Sequence, residues 1–282
     1  MSSSVAADHT IDEVAAKEQA LERVLASLGS VVVAYSGGVD SAYLACVAHR
    51  TLGDRAWAVT AESASYPEHH RSLAVGVAVA FGLHHEIIPT GEVEQPEYRA
   101  NPANRCYFCK RELYTHLSRL AAERSAVVVD GNNADDRADY RPGRQAAREL
   151  GVRSPLDEVN LAKADIRELS RRARLPTWDE PASACLSSRI PYHMEVTGEK
   201  LRTIERAEEA LRVLGFRVCR VRHHDELARV EIGREELARA LEPEMSAAIV
   251  RVVKAAGYLS VTLDPQGYRS GSLNEGLRLR PA

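Results

Sequence analysis

The chain has 282 residues, 45% of them hydrophobic and 27% charged, with a formal net charge of -3. That is ordinary for a soluble globular protein long enough for one large or two modest cores, and it speaks against general affinity for nucleic acid or membranes. The opening MSSSVAADHT has neither an apolar core nor a basic cluster, and the longest apolar run, 74–83, is too short to span a bilayer, so a cytoplasmic protein is expected.

Residues 1–10 are expected to be disordered. A helix is predicted over 11–27, then a β-branched strand, Val31–Ala34, and a helix from Ser41. A second strand is predicted at 56–61, a helix over 67–82, a short strand at 86–89, a helix over 105–122 and a fourth strand at Val127–Val129. Strands separated by helices imply βαβ units and a parallel sheet covered on both faces. The expectation is an α/β fold with a Rossmann-like parallel sheet, spanning 1–190. Residues 176–192 carry no clear period and read as a linker or an active-site loop. Beyond them come a helix over 197–214, strands at 216–222 and Leu227–Ile232, a helix over 243–256 and a strand at 258–262. This reads as a smaller α+β domain, 191–282, with an antiparallel hairpin.

The sharpest local signal is Ser36-Gly37-Gly38-Val39-Asp40-Ser41, between the first strand and its helix. In a parallel sheet this position lies at the ligand-binding edge. Glycine permits close backbone approach, and the helix start favours an anion. The P-loop ends in Gly-Lys-Ser/Thr, and the chain contains no Gly-Lys pair. The loop does match the PP-loop of ATP pyrophosphatases, which split ATP into AMP and pyrophosphate. By that resemblance Ser36, Gly37, Gly38 and Ser41 hold the pyrophosphate portion, and Asp40 helps to place Mg²⁺. Ala34, Thr60 and Ala61 at strand ends, with Gly131 after the fourth strand, border the nucleotide.

Five cysteines without an export signal argue against a disulfide framework. Cys46 and Cys219 fall in apolar patterns and read as small buried residues. Cys106 and Cys109 form a Cys-x-x-Cys at a helix start, where Arg105, Lys110, Arg111 and the helix end favour the thiolate. Cys185 lies in a loop rich in small and hydroxyl residues. Three thiols suit an iron–sulfur cluster with one open iron better than closed four-ligand zinc.

The loop SGGVDS, the helix RCYFCK, DGNNADDRADYRPGRQAA at 130–147, PASACLSSRIPY and VCRVRHH together resemble the LarE family over about residues 20–275. These are ATP-dependent sulfur transferases that build the pincer cofactor of nickel-dependent lactate racemase. The resemblance implies a small anionic nucleotide substrate, pyridinium-3,5-dicarboxylate mononucleotide. Its carboxylates are adenylated by ATP and then converted to thiocarboxylates. In one branch of the family the loop cysteine gives up its own sulfur; in the other, three cysteines hold a 4Fe-4S cluster that delivers sulfide. Cys106, Cys109 and Cys185 place this chain in the cluster branch, with Asp40 and Cys185 as the catalytic residues. The resemblance also implies a homo-oligomer and an external sulfide or sulfur donor.

The substrate phosphate calls for cations. Arg220 and Arg222, two apart on a strand, share one face, and with Arg189 they are expected to grip it. Ser188 and Glu231 are expected beside them, Glu231 orienting the arginines or touching substrate. The adjacent pairs His69-His70, His84-His85 and His223-His224 point apart and predict no metal site. Asp135, Asp136 and Arg137 either border the nucleotide or form an acidic helix start. The rival readings are a PP-loop tRNA thiolase, disfavoured by the lack of a dense basic strip, an amide-forming PP-loop ligase, which needs no cysteine triad, and a non-catalytic nucleotide or metal sensor.

Overall fold

The computed structural model describes residues 2–137, 142–181 and 184–269, with the backbone alone over 2–12. Residues 138–141 and 182–183, inside two of the quoted motifs, and 270–282 lie outside the described residues. The described strands are β1 (Val31–Ala34), β2 (Ala56–Glu62), β3 (His84–Pro89), β4 (Val127–Val129), β5 (Cys219–His224), β6 (Leu227–Ile232) and β7 (Ser260–Leu263). In chain order the helices are α1 (Ser2–Leu28), α2 (Val39–Leu52), α3 (Glu68–Ala80), α4 (Pro96–Arg99), α5 (Arg105–Glu123) and α6 (Gly143–Glu149). They continue with α7 (Pro155–Glu158), α8 (Lys163–Arg172), α9 (Gly198–Val213), α10 (Leu237–Ala240) and α11 (Pro243–Ala255). Helix α1 starts at Ser2, where disorder was expected, and β5 starts three residues later than predicted. Among the described residues no helix is long and apolar enough to cross a membrane.

Two compact units interleave along the chain. The first comprises Met1–Glu62, His70–Thr90 and Cys106–Glu180; the second comprises Ser63–His69, Gly91–Arg105 and Pro181–Ala282. The sequence placed a single boundary at 190.

In the first unit the strands run parallel in the order β3-β2-β1-β4. Period-two alternation sends Val31 and Val33 to one face, where they meet Ala42, Leu44 and Val47 of α2, Ala74 and Val77 of α3, and Ile166 and Leu169 of α8. Val32 and Ala34 point to the other face, against Tyr114, Leu117 and Ala121 of α5 and Ala146 and Ala147 of α6. A strand buried on both sides reads as a continuous β-branched run, which is why β1 and β4 are legible in sequence. The chain lays β2 and β3 on one side of β1 and returns with β4 on the other. The strand order therefore reverses between β1 and β4, and a ligand crevice opens beyond their carboxyl ends.

The second unit has β5 and β6 antiparallel and β7 parallel to β6. Val221, Ala228, Val230 and Ile232 pack against Ala207 and Leu211 of α9 and Ile249 and Val253 of α11. Arg220 and Arg222, on the alternate positions of β5, take the opposite face from Val221.

Candidate active site

Residues 36–41 turn the chain from β1 into α2 at the switch point. Gly37 has φ +67, and a Cβ there would meet the Ala74 Cβ at 2.7 Å, so conformation and space both exclude any other residue. Gly38 caps α2, a 14-residue helix, leaving its first amides directed at the crevice. The hydroxyls of Ser36 and Ser41 lie 3.1 Å apart, and the Ser41 hydroxyl also accepts the Ser36 N–H at 3.1 Å. From the other side of the switch point, Gly131 brings the β4 end against this loop. A Cβ on Gly131 would lie 3.0 Å from the Ser41 nitrogen.

Asp40 carries the main charge of the loop. Its Oδ2 accepts from the Lys163 Nζ at 2.5 Å, while its Oδ1 is buried with no hydrogen-bond partner. A carboxylate oxygen left over in this way fits a hard cation such as Mg²⁺. Lys163 was missed by sequence reasoning: it lies 123 positions from Asp40 and opens α8, whose first N–H is held by Asp135 Oδ2 at 2.8 Å. Asp136 accepts the Asn133 N–H, and Arg137 pairs with Asp157, so the acidic stretch after β4 is tied up in local structure.

Thr60, 1% exposed at the end of β2, donates to the Tyr35 carbonyl at 2.9 Å, and His85 Nε2 lies 2.8 Å from the same hydroxyl. Because the hydroxyl proton is engaged, Nε2 carries the hydrogen of this second bond. Burial pushes the His85 pKa down, which keeps the ring neutral. Ala34 is buried and Ala61 half-buried beside it. Behind the β4 end, buried Asp130 accepts from the Tyr114 hydroxyl at 2.7 Å, the Ser154 hydroxyl at 2.7 Å and the Asn132 amide at 2.6 Å. Tyr114 belongs to α5, so the helix carrying Cys106 and Cys109 is anchored to the segment bordering the PP-loop.

Cys106 is exposed and Cys109 half-buried, three apart and therefore on one side of α5. Half-buried Cys185 belongs to the second unit. Burial pushes the thiols of Cys46 and Cys219 up to about 12, which keeps both protonated. The remaining three thiols have the donor chemistry of an iron–sulfur site. Within either unit taken alone, the described residues bring no three His, Cys, Asp or Glu side chains together.

In the second unit, Cys185 precedes a single 3₁₀ turn, Leu186–Arg189. Arg189, expected to grip the substrate phosphate, is instead 1% exposed. It forks onto both oxygens of Glu208, from Nε at 2.8 Å and from Nη2 at 2.9 Å. Its Nη1 donates to the carbonyls of Ala184 and Cys185 and to the Ser188 hydroxyl. That guanidinium is committed within the protein. Arg222 donates to the Ser188 carbonyl and to Glu231, both at 2.8 Å, and Glu231 also pairs with Arg229 at 3.3 Å. Glu231 is thereby paired with two arginines, Arg222 and Arg229. Burial, and then the charge of Arg189, push the Arg220 guanidinium below its ordinary pKa. An anion beside Arg220 would relieve that stress.

A scan against protein-family models finds no match. The chain is 45% identical, over 93% of its length and 98% of the relative's, to an uncharacterized protein of Synechocystis sp.. It is 28% identical, over 85% and 91%, to an uncharacterized protein of Methanocaldococcus jannaschii. It is also 34% identical, over 93% of its own length and 95% of the relative's, to the pyridinium-3,5-bisthiocarboxylic acid mononucleotide synthase of Lactiplantibacillus plantarum. At 34% identity over nearly the full length of both chains, this last relative shows the family, and this chain belongs to the LarE family.

Proposed function

We propose that the protein is an ATP-dependent sulfurtransferase that converts the carboxylates of pyridinium-3,5-dicarboxylate mononucleotide to thiocarboxylates, a step in nickel-pincer cofactor assembly. The observation that carries this reading is the loop at 36–41, with its close glycine, its aligned helix start and the leftover Asp40 oxygen, in a chain 34% identical to the Lactiplantibacillus synthase. A carboxylate has no adequate leaving group. One of its oxygens attacks the α-phosphorus of ATP, the α–β bond breaks, and pyrophosphate leaves into the cradle of helix amides and serine hydroxyls. Asp40 would hold Mg²⁺, which neutralises the phosphate charge when bound. A sulfur nucleophile then attacks the acyl carbon and displaces AMP.

On this reading Arg220 and Arg222 hold the substrate phosphate, with Glu231 fixing the direction of Arg222. Cys106, Cys109 and Cys185 would hold a 4Fe-4S cluster, whose open iron supplies a removable sulfide when loaded. The protein is proposed to work as a homo-oligomer with an external sulfide source.

The test is product analysis with ATP, Mg²⁺, the dicarboxylate nucleotide and sulfide. Wild type should release AMP and pyrophosphate in step with thiocarboxylate formation. Asp40→Ala should lower that release by about two to three orders of magnitude while the protein stays folded. Wild-type turnover in the folded variant would remove Asp40 from the mechanism. Absence of AMP with the dicarboxylate, but not with another acid, would remove the substrate.

A further inference from the structure

The backbone around Cys185 is held from several directions within the second unit. On one flank, the Leu186 N–H donates to the Ser65 carbonyl at 2.8 Å, and the Ser65 hydroxyl donates to buried Glu92 at 2.6 Å. On the other, the Tyr98 hydroxyl bonds the Ser187 hydroxyl at 2.6 Å, and Arg222 holds the Ser188 carbonyl. At the centre sits Arg189, whose Nη1 reaches the carbonyls of Ala184 at 2.8 Å and Cys185 at 3.0 Å, the peptide oxygens on either side of the Cys185 Cα.

Arg189 is itself aimed by Glu208. This carboxylate, 0% exposed on α9, takes both arms of the fork and also accepts the Val221 N–H at 3.0 Å and Arg212 Nη2 at 3.3 Å. It is therefore fixed by a strand and a helix before it fixes Arg189. A buried ion pair contributes little net stability compared with apolar groups of the same volume, because both charges are desolvated. What the fork does supply is direction, since a guanidinium held at two nitrogens points its third at one place.

We propose that Glu208 is a positioning residue for Cys185, acting through Arg189 to hold the two carbonyls that flank the thiol-bearing carbon. This rests on the reading of Cys185 as a residue that sulfur transfer requires, and the two ideas fail separately. The loop is prearranged, so the cysteine is presented in one place at every turnover rather than found by a mobile segment.

The experiment measures alkylation of each thiol by iodoacetamide, using peptide mass spectrometry on the full chain under reducing, iron-free conditions. Cys106 serves as the internal control. Glu208→Gln cannot accept both arms of the fork, and alkylation of Cys185 should rise by about fivefold or more as the turn loosens, with Cys106 unchanged. Tyr98→Phe removes one restraint without leaving a buried charge, so it covers the case in which Glu208→Gln does not fold; a rise of about twofold is expected. In parallel, folded Glu208→Gln should lose about tenfold or more in kcat for thiocarboxylate formation with the KM for ATP unchanged. Wild-type alkylation of Cys185 in the folded variants would overturn the positioning role. If Cys185→Ala still transfers sulfur, it is the functional reading of Cys185 that fails, whatever the alkylation rates show.

Discussion

At the scale of single residues, the crevice is defined by what each side chain leaves available. Asp40 has one oxygen on Lys163 and one with no partner, so it already behaves as a carboxylate with a monovalent cation bound and room for a second. Lys163 is 36% exposed, and on the proposed reading it follows a developing phosphate charge. An ion pair this exposed contributes at most about 1 kcal/mol to folding. Lys163→Met should therefore leave the melting temperature nearly unchanged but lower AMP formation by about a hundredfold. A melting shift matched by only a small rate loss would make the lysine structural. This residue shows where sequence reading stops. The glycines and Asp40 declare themselves through spacing within six positions, whereas Lys163 becomes relevant only because α8 packs Ile166 and Leu169 under α2. Arg189 fails in the opposite direction: its type and neighbourhood suit a phosphate, and nothing local reveals that Glu208 turns inward to take it.

Among the elements, those with one strong physical reason were legible. Val127–Val129 is a β-branched run between two layers, and β6 puts every second residue, Ala228, Val230 and Ile232, on the core. Helix α8 was not legible, because its sequence KADIRELSRR is mostly charged and buries only Ile166, Leu169 and Ser170. The contact between the Leu186–Arg189 turn and α9 likewise exists only in three dimensions, and its energetics can be tested by pH. Despite full burial, the Arg189 guanidinium and its hydrogen bonds hold the Glu208 carboxyl down at about 2, against an ordinary 4.5. A carboxylate depressed in the folded state contributes stability that is complete above its unfolded value and fades as pH falls toward the folded one. The pair's contribution should therefore be constant above pH 4.5 and decline between 4.5 and 2, by an amount on the order of 3 kcal/mol. Glu208→Gln should be less stable at neutral pH by about 3–5 kcal/mol, since it strands a buried guanidinium. The gap to wild type in urea midpoint should then narrow below pH 4.5. A gap that stays constant down to pH 2 would mean that Glu208 is not the titrating partner.

At the scale of the whole molecule, the chain builds two cores that share it unevenly. Segments Ser63–His69 and Gly91–Arg105 belong to the second unit although they interrupt the first in sequence. Nothing in their composition hints at that allegiance. The three accessible thiols are divided in the same way, with Cys106 and Cys109 in one unit and Cys185 in the other. Their chemistry decides how the protein supplies sulfur, and two schemes make opposite predictions. If Cys185 alone donates its sulfur, it is consumed once, and intact-protein mass after turnover falls by one hydrogen sulfide per adenylated carboxylate served. Cys106→Ala and Cys109→Ala would then retain single-turnover activity, because neither thiol enters that reaction. If the three act together as cluster ligands, each is a deprotonated donor that survives turnover, and external sulfide permits many cycles. Alanine at any of the three should then abolish the visible absorbance and the activity of anaerobically prepared, iron-loaded protein together. We expect the second result. The sacrificial scheme gives no task to two cysteines one helical turn apart on α5, whereas the anchoring of that helix through Tyr114 and Asp130 to the PP-loop side of the sheet gives them a fixed position. Dehydroalanine at position 185 in iron-loaded protein after turnover would decide for the first.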